Sequence, residues 1–315
     1  MANELTRYNE FWFDDGSIIV LAADVAFRLH KGILSRHSTV FRDMFSVAQP
    51  VDSGATLDCS LDGVPLVHVS DTREDFESIV SILYDGGVNL REFYSNGLWP
   101  LPFSVVSAFL RLGSNYQIDH LRAEAIHRLR ICFPTRLSQY KAEAFSNLTS
   151  QEAQKHSIPI MMSFSDAIEV IQLAQSFDLA DILPSAFYTC AQLPTSQLFD
   201  AVSAGRLSLR DLQRIIEAFP RLTRVNKFKL SRLIRRATSP TCHHRNLCRS
   251  LMHEIIEGLF DAGPVFDDGV RECFCYDRTW LTTIQASGLC ASRNVLQRLG
   301  NRKENCGTTW LLCSA

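Results

Sequence analysis

The apolar positions change period within the first fifty residues, and the change predicts a small sheet followed by paired helices. Phe11-Trp12-Phe13 and Ser17–Ala23 are short β-prone runs separated by Asp14-Asp15-Gly16. That triplet has turn chemistry, with Gly supplying positive φ and Asp hydrogen-bonding its own backbone, so the two runs read as a hairpin. Ala26–Leu29 reads as a third strand. Ile33, Leu34, Val40, Phe41, Met44 and Phe45 then recur at three-to-four spacing, with Ser38 placed to cap the second of two short helices. Residues 47–63, rich in Pro, Ser, Gly and Asp, read as a surface loop, and Pro65–Ser70 as a fourth strand. Asp71 or Thr72 opens the next helix, where Asp71-x-x-Glu74 has capping-box spacing. Phe76, Ile79, Val80, Leu83 and Tyr84 give that helix its apolar stripe, and Asp85-Gly86-Gly87 stops it.

After a loop over 86–102, Phe103–Gly113 and Asn115–Cys132 are both helical by period. Residues 134–162 are polar and read as a linker with some helix. From Ser163 the pattern is helical again through residue 260, in repeated short amphipathic segments, and Pro184 fits a first helical turn. From 261 to 315 the period fades into a weakly patterned tail, although Trp310-Leu311-Leu312 remains apolar.

The wording of two stretches carries a resemblance. AFRLHKGILSRHSTVFRDMF, residues 26–45, resembles the BTB/POZ pattern of an aromatic, a His, a basic residue and an apolar helix pair ending in Met-Phe. With its FWFDDG opening it looks like the large group of fungal BTB proteins. LRLGSNYQIDHLRAEAIHRL, residues 110–129, resembles the closing helices of that fold, and the helices beyond resemble the extensions that often follow it. The resemblance implies an α/β (α+β) BTB domain over 11–133, a small mixed sheet with helical hairpins. A polar tail over 1–10 precedes it and a mostly α-helical C-terminal region follows, with the extension over 163–260. It also implies a protein–protein interaction module that self-associates as a homodimer or recruits partners, including a cullin scaffold for a ubiquitin-ligase substrate adaptor, or acts as a regulatory scaffold. By the same resemblance, Asp15 and Lys31 form a charged pocket at the dimer groove; read from the residues alone, Asp15 is a turn residue and Lys31 a solvated charge.

Composition narrows the class. With 46% hydrophobic and 21% charged residues over 315 positions, the chain reads as globular rather than disordered. A net charge of −2 hides two opposed fields. Residues 1–100 hold fifteen acidic against seven basic side chains, and residues 205–236 hold ten basic against two acidic. No run approaches a membrane span and MANELTRYNE lacks the apolar core of a signal peptide, so no membrane is expected and the location is read as cytoplasm or nucleus. The ten cysteines are then read as mostly reduced.

Candidate chemistry is sparse. There is no Gly-rich phosphate loop, HExxH or GxSxG, so an enzyme is not expected and no cofactor is implied. Cys242, His244, Cys248, Cys273 and Cys275 have metal-ligand character, but their spacing is not that of a zinc finger, and no metal is expected. His30 reads as a hydrogen-bonded core histidine. Arg221, Arg224, Arg232 and Arg235 fall near one helical face and form a basic surface. Its functional alternative is a nucleic-acid-associated transcriptional regulator using residues 221–236 and a Cys/His zinc site. No recognised DNA-binding motif appears in that segment, so a solvated face is the preferred reading.

Overall fold

The computed structural model of the chain describes residues 5–46, 60–61, 63–85 and 99–235, with positions 246, 250 and 253 as isolated helical residues. The chain divides into two compact units, Met1–Ile131 with Leu148–Met161 and Cys132–Asn147 with Met162–Ala315.

The first unit is built on a mixed sheet of β1 (Thr6–Trp12), β2 (Ile18–Ala22), β3 (Val25–Leu29), β4 (Ser60–Leu61) and β5 (Val64–Val69), in the order β1-β3-β2-β5-β4. All five residues of β2 are buried, so this strand needs cover on both faces and a partner on both edges. It pairs antiparallel with β3, from Ile18 opposite Leu29 to Ala22 opposite Val25, and parallel with β5, Ile19 opposite Leu66. Ile19, Leu21 and Ala26 form a core on one face, packed against Trp12, Leu61, Val64 and Leu66.

This order corrects the expected hairpin. The tight connection is between β2 and β3, through Ala23 at φ 53° and Asp24. β1 does not pair with β2; it runs parallel to β3 at the sheet edge. The reason is amphipathicity: β1 exposes Thr6, Arg7, Asn9 and Glu10, which suits an edge, whereas β2 has no polar face. The strand also begins within the segment read as a polar tail. Tyr8 holds it there, its ring 5.1 Å from that of Phe27 and its hydroxyl donating to Glu77 at 2.6 Å.

Helices α1 (Lys31–His37) and α2 (Thr39–Ser46) come between β3 and β4, and α3 (Arg73–Asp85) follows β5. Ser38 caps α2 as its position predicts, accepting the Phe41 N–H at 3.0 Å, and its hydroxyl donates to the Tyr116 carbonyl at 2.6 Å. Tyr116 in turn stacks on Phe41 at 4.7 Å. The cap of α3 is Thr72, whose hydroxyl accepts the Asp75 N–H at 3.2 Å. Asp71 is not the capping residue, because its carboxylate accepts the Tyr116 hydroxyl.

A two-residue strand β6 (Leu101–Pro102) leads into α4 (Phe103–Asn115) and α5 (Asp119–Cys132). α4 buries Val106, Phe109, Leu110 and Leu112, and Arg111 joins it to α3 by a two-point contact with Asp75 at 2.9 and 3.0 Å. The segment read as a linker contains α6 (Ser150–Lys155), whose Thr149 and Glu152 form a reciprocal capping box. It also contains β7 (Ile160–Met161), parallel to β6. A two-residue strand is too short to leave a period in the sequence.

The second unit is helical. After 3-10 turns at Leu137–Gln139 and Ala142–Phe145 come α7 (Asp166–Ser176), α8 (Leu183–Cys190), α9 (Thr195–Ser203) and α10 (Leu209–Arg235). Pro184 sits in the first turn of α8, as expected. Phe145 is the hub of an aromatic cluster with Phe133, Tyr140 and Phe164, at centroid distances of 5.4 to 5.6 Å. Buried Asp211 accepts from Ser208, Gln175 and Arg214 and so ties α7 to α10. α10 continues through Pro220, which has no N–H to offer the Ile216 carbonyl.

Candidate functional site

The turn leaving β1 is held from underneath. Phe13 accepts the Gly16 N–H at 2.9 Å, closing the turn over Asp14 and Asp15. From β3, Arg28 donates to the Gly16 carbonyl at 3.2 Å and to the Asp14 carbonyl. A Cβ on Gly16 would lie 2.7 Å from Arg28 Cγ and 2.9 Å from the Phe13 carbonyl oxygen. Close approach, not the expected positive φ, therefore demands glycine here. With its backbone clamped, the turn presents both acidic side chains outward.

Asp15 is then fixed by His30. Its carboxylate lies 3.1 Å from His30 Nε2, with the Asp15 side chain 85% exposed and that of His30 only 28%. His30 Nδ1 lies 3.1 Å from the Tyr84 hydroxyl, which also accepts the His30 backbone N–H at 2.7 Å. A hydroxyl that accepts one N–H can still donate its own proton, so with Nδ1 unprotonated the Tyr84 hydroxyl can donate to it while the Nε2–H donates to Asp15. The hydrogen bond from His30, followed by one from the backbone of Asp15 itself, holds the Asp15 carboxyl below the usual carboxylate range. Burial pushes the Tyr84 phenol up, so it keeps its proton. Phe13 stacks on Tyr84 at 4.9 Å and lies 5.1 Å from the His30 ring. The result is an ionised carboxylate, exposed to solvent, standing on a stiff aromatic base.

Lys31 opens α1 beside this corner. Its backbone N–H donates to Ser17 Oγ at 3.0 Å, and its ammonium sits 5.7 Å from the centroid of Phe45. His30, rather than Lys31, holds the Asp15 carboxylate. Sequence reasoning placed Tyr84 in the apolar stripe of its helix and missed its hydroxyl, because nothing local links positions 54 residues apart.

Of the four arginines singled out by spacing, Arg221 and Arg224 are exposed on α10, and Arg232 and Arg235 belong to the same helix. Cys242, His244, Cys248, Cys273 and Cys275 lie outside the described residues. Among the described residues, no group of three or more His, Cys, Asp or Glu side chains is placed to hold a metal ion, and no helix is long and apolar enough to cross a membrane. Cys132 and Cys190 are both buried, and burial raises the Cys190 thiol far above the usual thiol range.

No curated protein matches this chain. Residues 9–130 match the family model of the BTB/POZ domain, generally a protein–protein interaction module. The match takes in the second half of β1, the other four strands of the sheet, the helices α1 to α4 and nearly all of α5. The N-terminal region of this chain is a BTB/POZ domain.

Proposed function

We propose that the chain works by holding other polypeptides, through self-association or partner recruitment at the Asp15 corner of its BTB domain, in the role of an adaptor or regulatory scaffold. The observation that supports this is the fixed, exposed carboxylate of Asp15, backed by His30 and Tyr84, with Lys31 beside it. A charge set on a rigid base loses little side-chain entropy on docking, and a wrongly charged partner meets it as a penalty. Such a corner serves specificity more than raw affinity. Recruitment to a cullin scaffold is one form of the same role.

Light scattering on the full chain over a wide concentration range tests self-association, and Asp15→Lys with Lys31→Glu tests the corner. The expected result is a dimer that either single substitution weakens and the double substitution partly restores. A chain that stays monomeric, and whose retained partners are unchanged by both substitutions, overturns the proposal.

A further inference from the structure

The first half of α10 carries two stripes that the BTB domain does not explain. Arg210 and Arg221 stand eleven residues apart, three helical turns, and so share a face, with Arg224 one turn beyond Arg221. All three are exposed. Arg232 and Arg235 follow Arg221 and Arg224 at the same eleven-residue interval within the helix. Alongside this row, Leu209 and Ile216, two turns apart, are 73% and 40% exposed, and exposed Pro220 continues their stripe. The opposite side of the helix is the buried one, carrying Leu212, Ile215 and Leu222. Arg214 is already engaged, bound to Asp211 and lying over the Phe187 ring, and the remaining carboxylate on the exposed side, Glu217, accepts a hydrogen bond from Gln213 at 2.7 Å.

We infer that this face of α10 docks an acidic amphipathic polypeptide segment, whose carboxylates meet Arg210, Arg221 and Arg224 while its apolar residues cover Leu209 and Ile216. Charge decides the sign of the partner, since residues 205–236 carry ten basic and two acidic side chains. The apolar stripe decides its class. A nucleic-acid backbone offers phosphates but nothing to cover an exposed leucine and isoleucine. A helical segment with leucines among glutamates satisfies both stripes at once. Isolated exposed apolar residues need no explanation, but two in register beside a row of arginines form a patterned face.

The test uses the full chain and four fluorescent probes: a Glu-rich helical peptide with leucines at helical spacing, the same peptide with glutamines for leucines, a duplex oligonucleotide, and phosphatidylserine vesicles. The leucine-bearing peptide is expected to bind most tightly. Arg210→Glu with Arg221→Glu and Arg224→Glu should weaken it by at least about tenfold, as should Leu209→Asp with Ile216→Asp. All five positions are exposed, and circular dichroism checks that each variant keeps its helix. Equal binding of the leucine-free peptide, tighter binding of the oligonucleotide or vesicles, no binding of any probe, or variants that bind like the parent each overturn the inference.

Discussion

Arg128, 2% exposed within α5, donates from Nη1 to the Pro159 carbonyl at 2.7 Å and so fastens the segment bearing β7 to the BTB domain. The same nitrogen reaches the Trp99 carbonyl, and Nε donates to Glu124 at 2.7 Å. A buried charge this well partnered is expensive to break from one side. Arg128→Leu leaves Glu124 and two carbonyls without this partner, and is expected to cost about 3–5 kcal/mol in urea unfolding. Arg128→Lys should recover only part of it, because an ammonium lacks the planar fork.

Ser38 serves two elements with one hydroxyl, accepting from the α2 backbone and donating to the carbonyl of Tyr116. Ser38→Ala removes a cap and strands a buried hydrogen-bonding group. Chemical denaturation should register a loss of about 1–3 kcal/mol, while Ser35→Ala, outside both contacts, should stay close to the parent.

Gly16 and Gly32 should respond in opposite directions to the same added methyl. Gly16→Ala drives a Cβ into Arg28 and the Phe13 carbonyl and is expected to lose about 1–3 kcal/mol. Gly32 lies inside α1, where an added Cβ would meet nothing within 4 Å, so Gly32→Ala should gain about 0.5–1 kcal/mol. Thermal melts of the two variants separate close approach from helix propensity.

The Asp15 carboxyl is held low by His30, so its contribution to stability is present above the unfolded value near 4 and is lost as pH falls through the lower folded value. Removing the imidazole with His30→Ala should move the Asp15 titration upward toward the ordinary range. Carboxyl NMR titration reads this directly, and an unmoved midpoint would show that the backbone contact alone sets it.

His37 at the end of α1 and His120 in α5 lie 5.4 Å apart, ring to ring. Crowding away from water lowers both; the charge of His120, along with Arg36, adds to the effect on His37, and Asp119 opposes it at His120. The unfolded chain therefore takes up protons near pH 6.5 before the folded one does, and stability falls as pH drops through that region. Replacing both with Gln should flatten the slope of unfolding free energy between about pH 7 and 5, values that bracket the ordinary histidine range.

How much was legible in advance varies residue by residue. Ser38 and Pro184 were readable because a cap and a first-turn proline depend only on their neighbours along the chain. The strands at Ile18–Ala22 and Val64–Val69 were readable from their β-prone runs, and the stripe of Phe76, Ile79 and Val80 from its helical period. Asp71 misled, because a spacing that permits a capping box says nothing of a tyrosine 45 residues away that claims the carboxylate.

The sequence alone located β2, β3, β5 and the helices α1 to α5 and showed which of their faces are apolar, since each follows from the order of side chains along a few residues, but it left the start of β1 in a polar tail and β7 in a linker. Tertiary structure decided that β3 stands between β1 and β2, that His30 takes Asp15, and that Arg128 reaches Pro159. Those choices join groups distant in sequence. They are settled by which buried edges and polar atoms must be satisfied when the whole domain closes, and no local period records that competition.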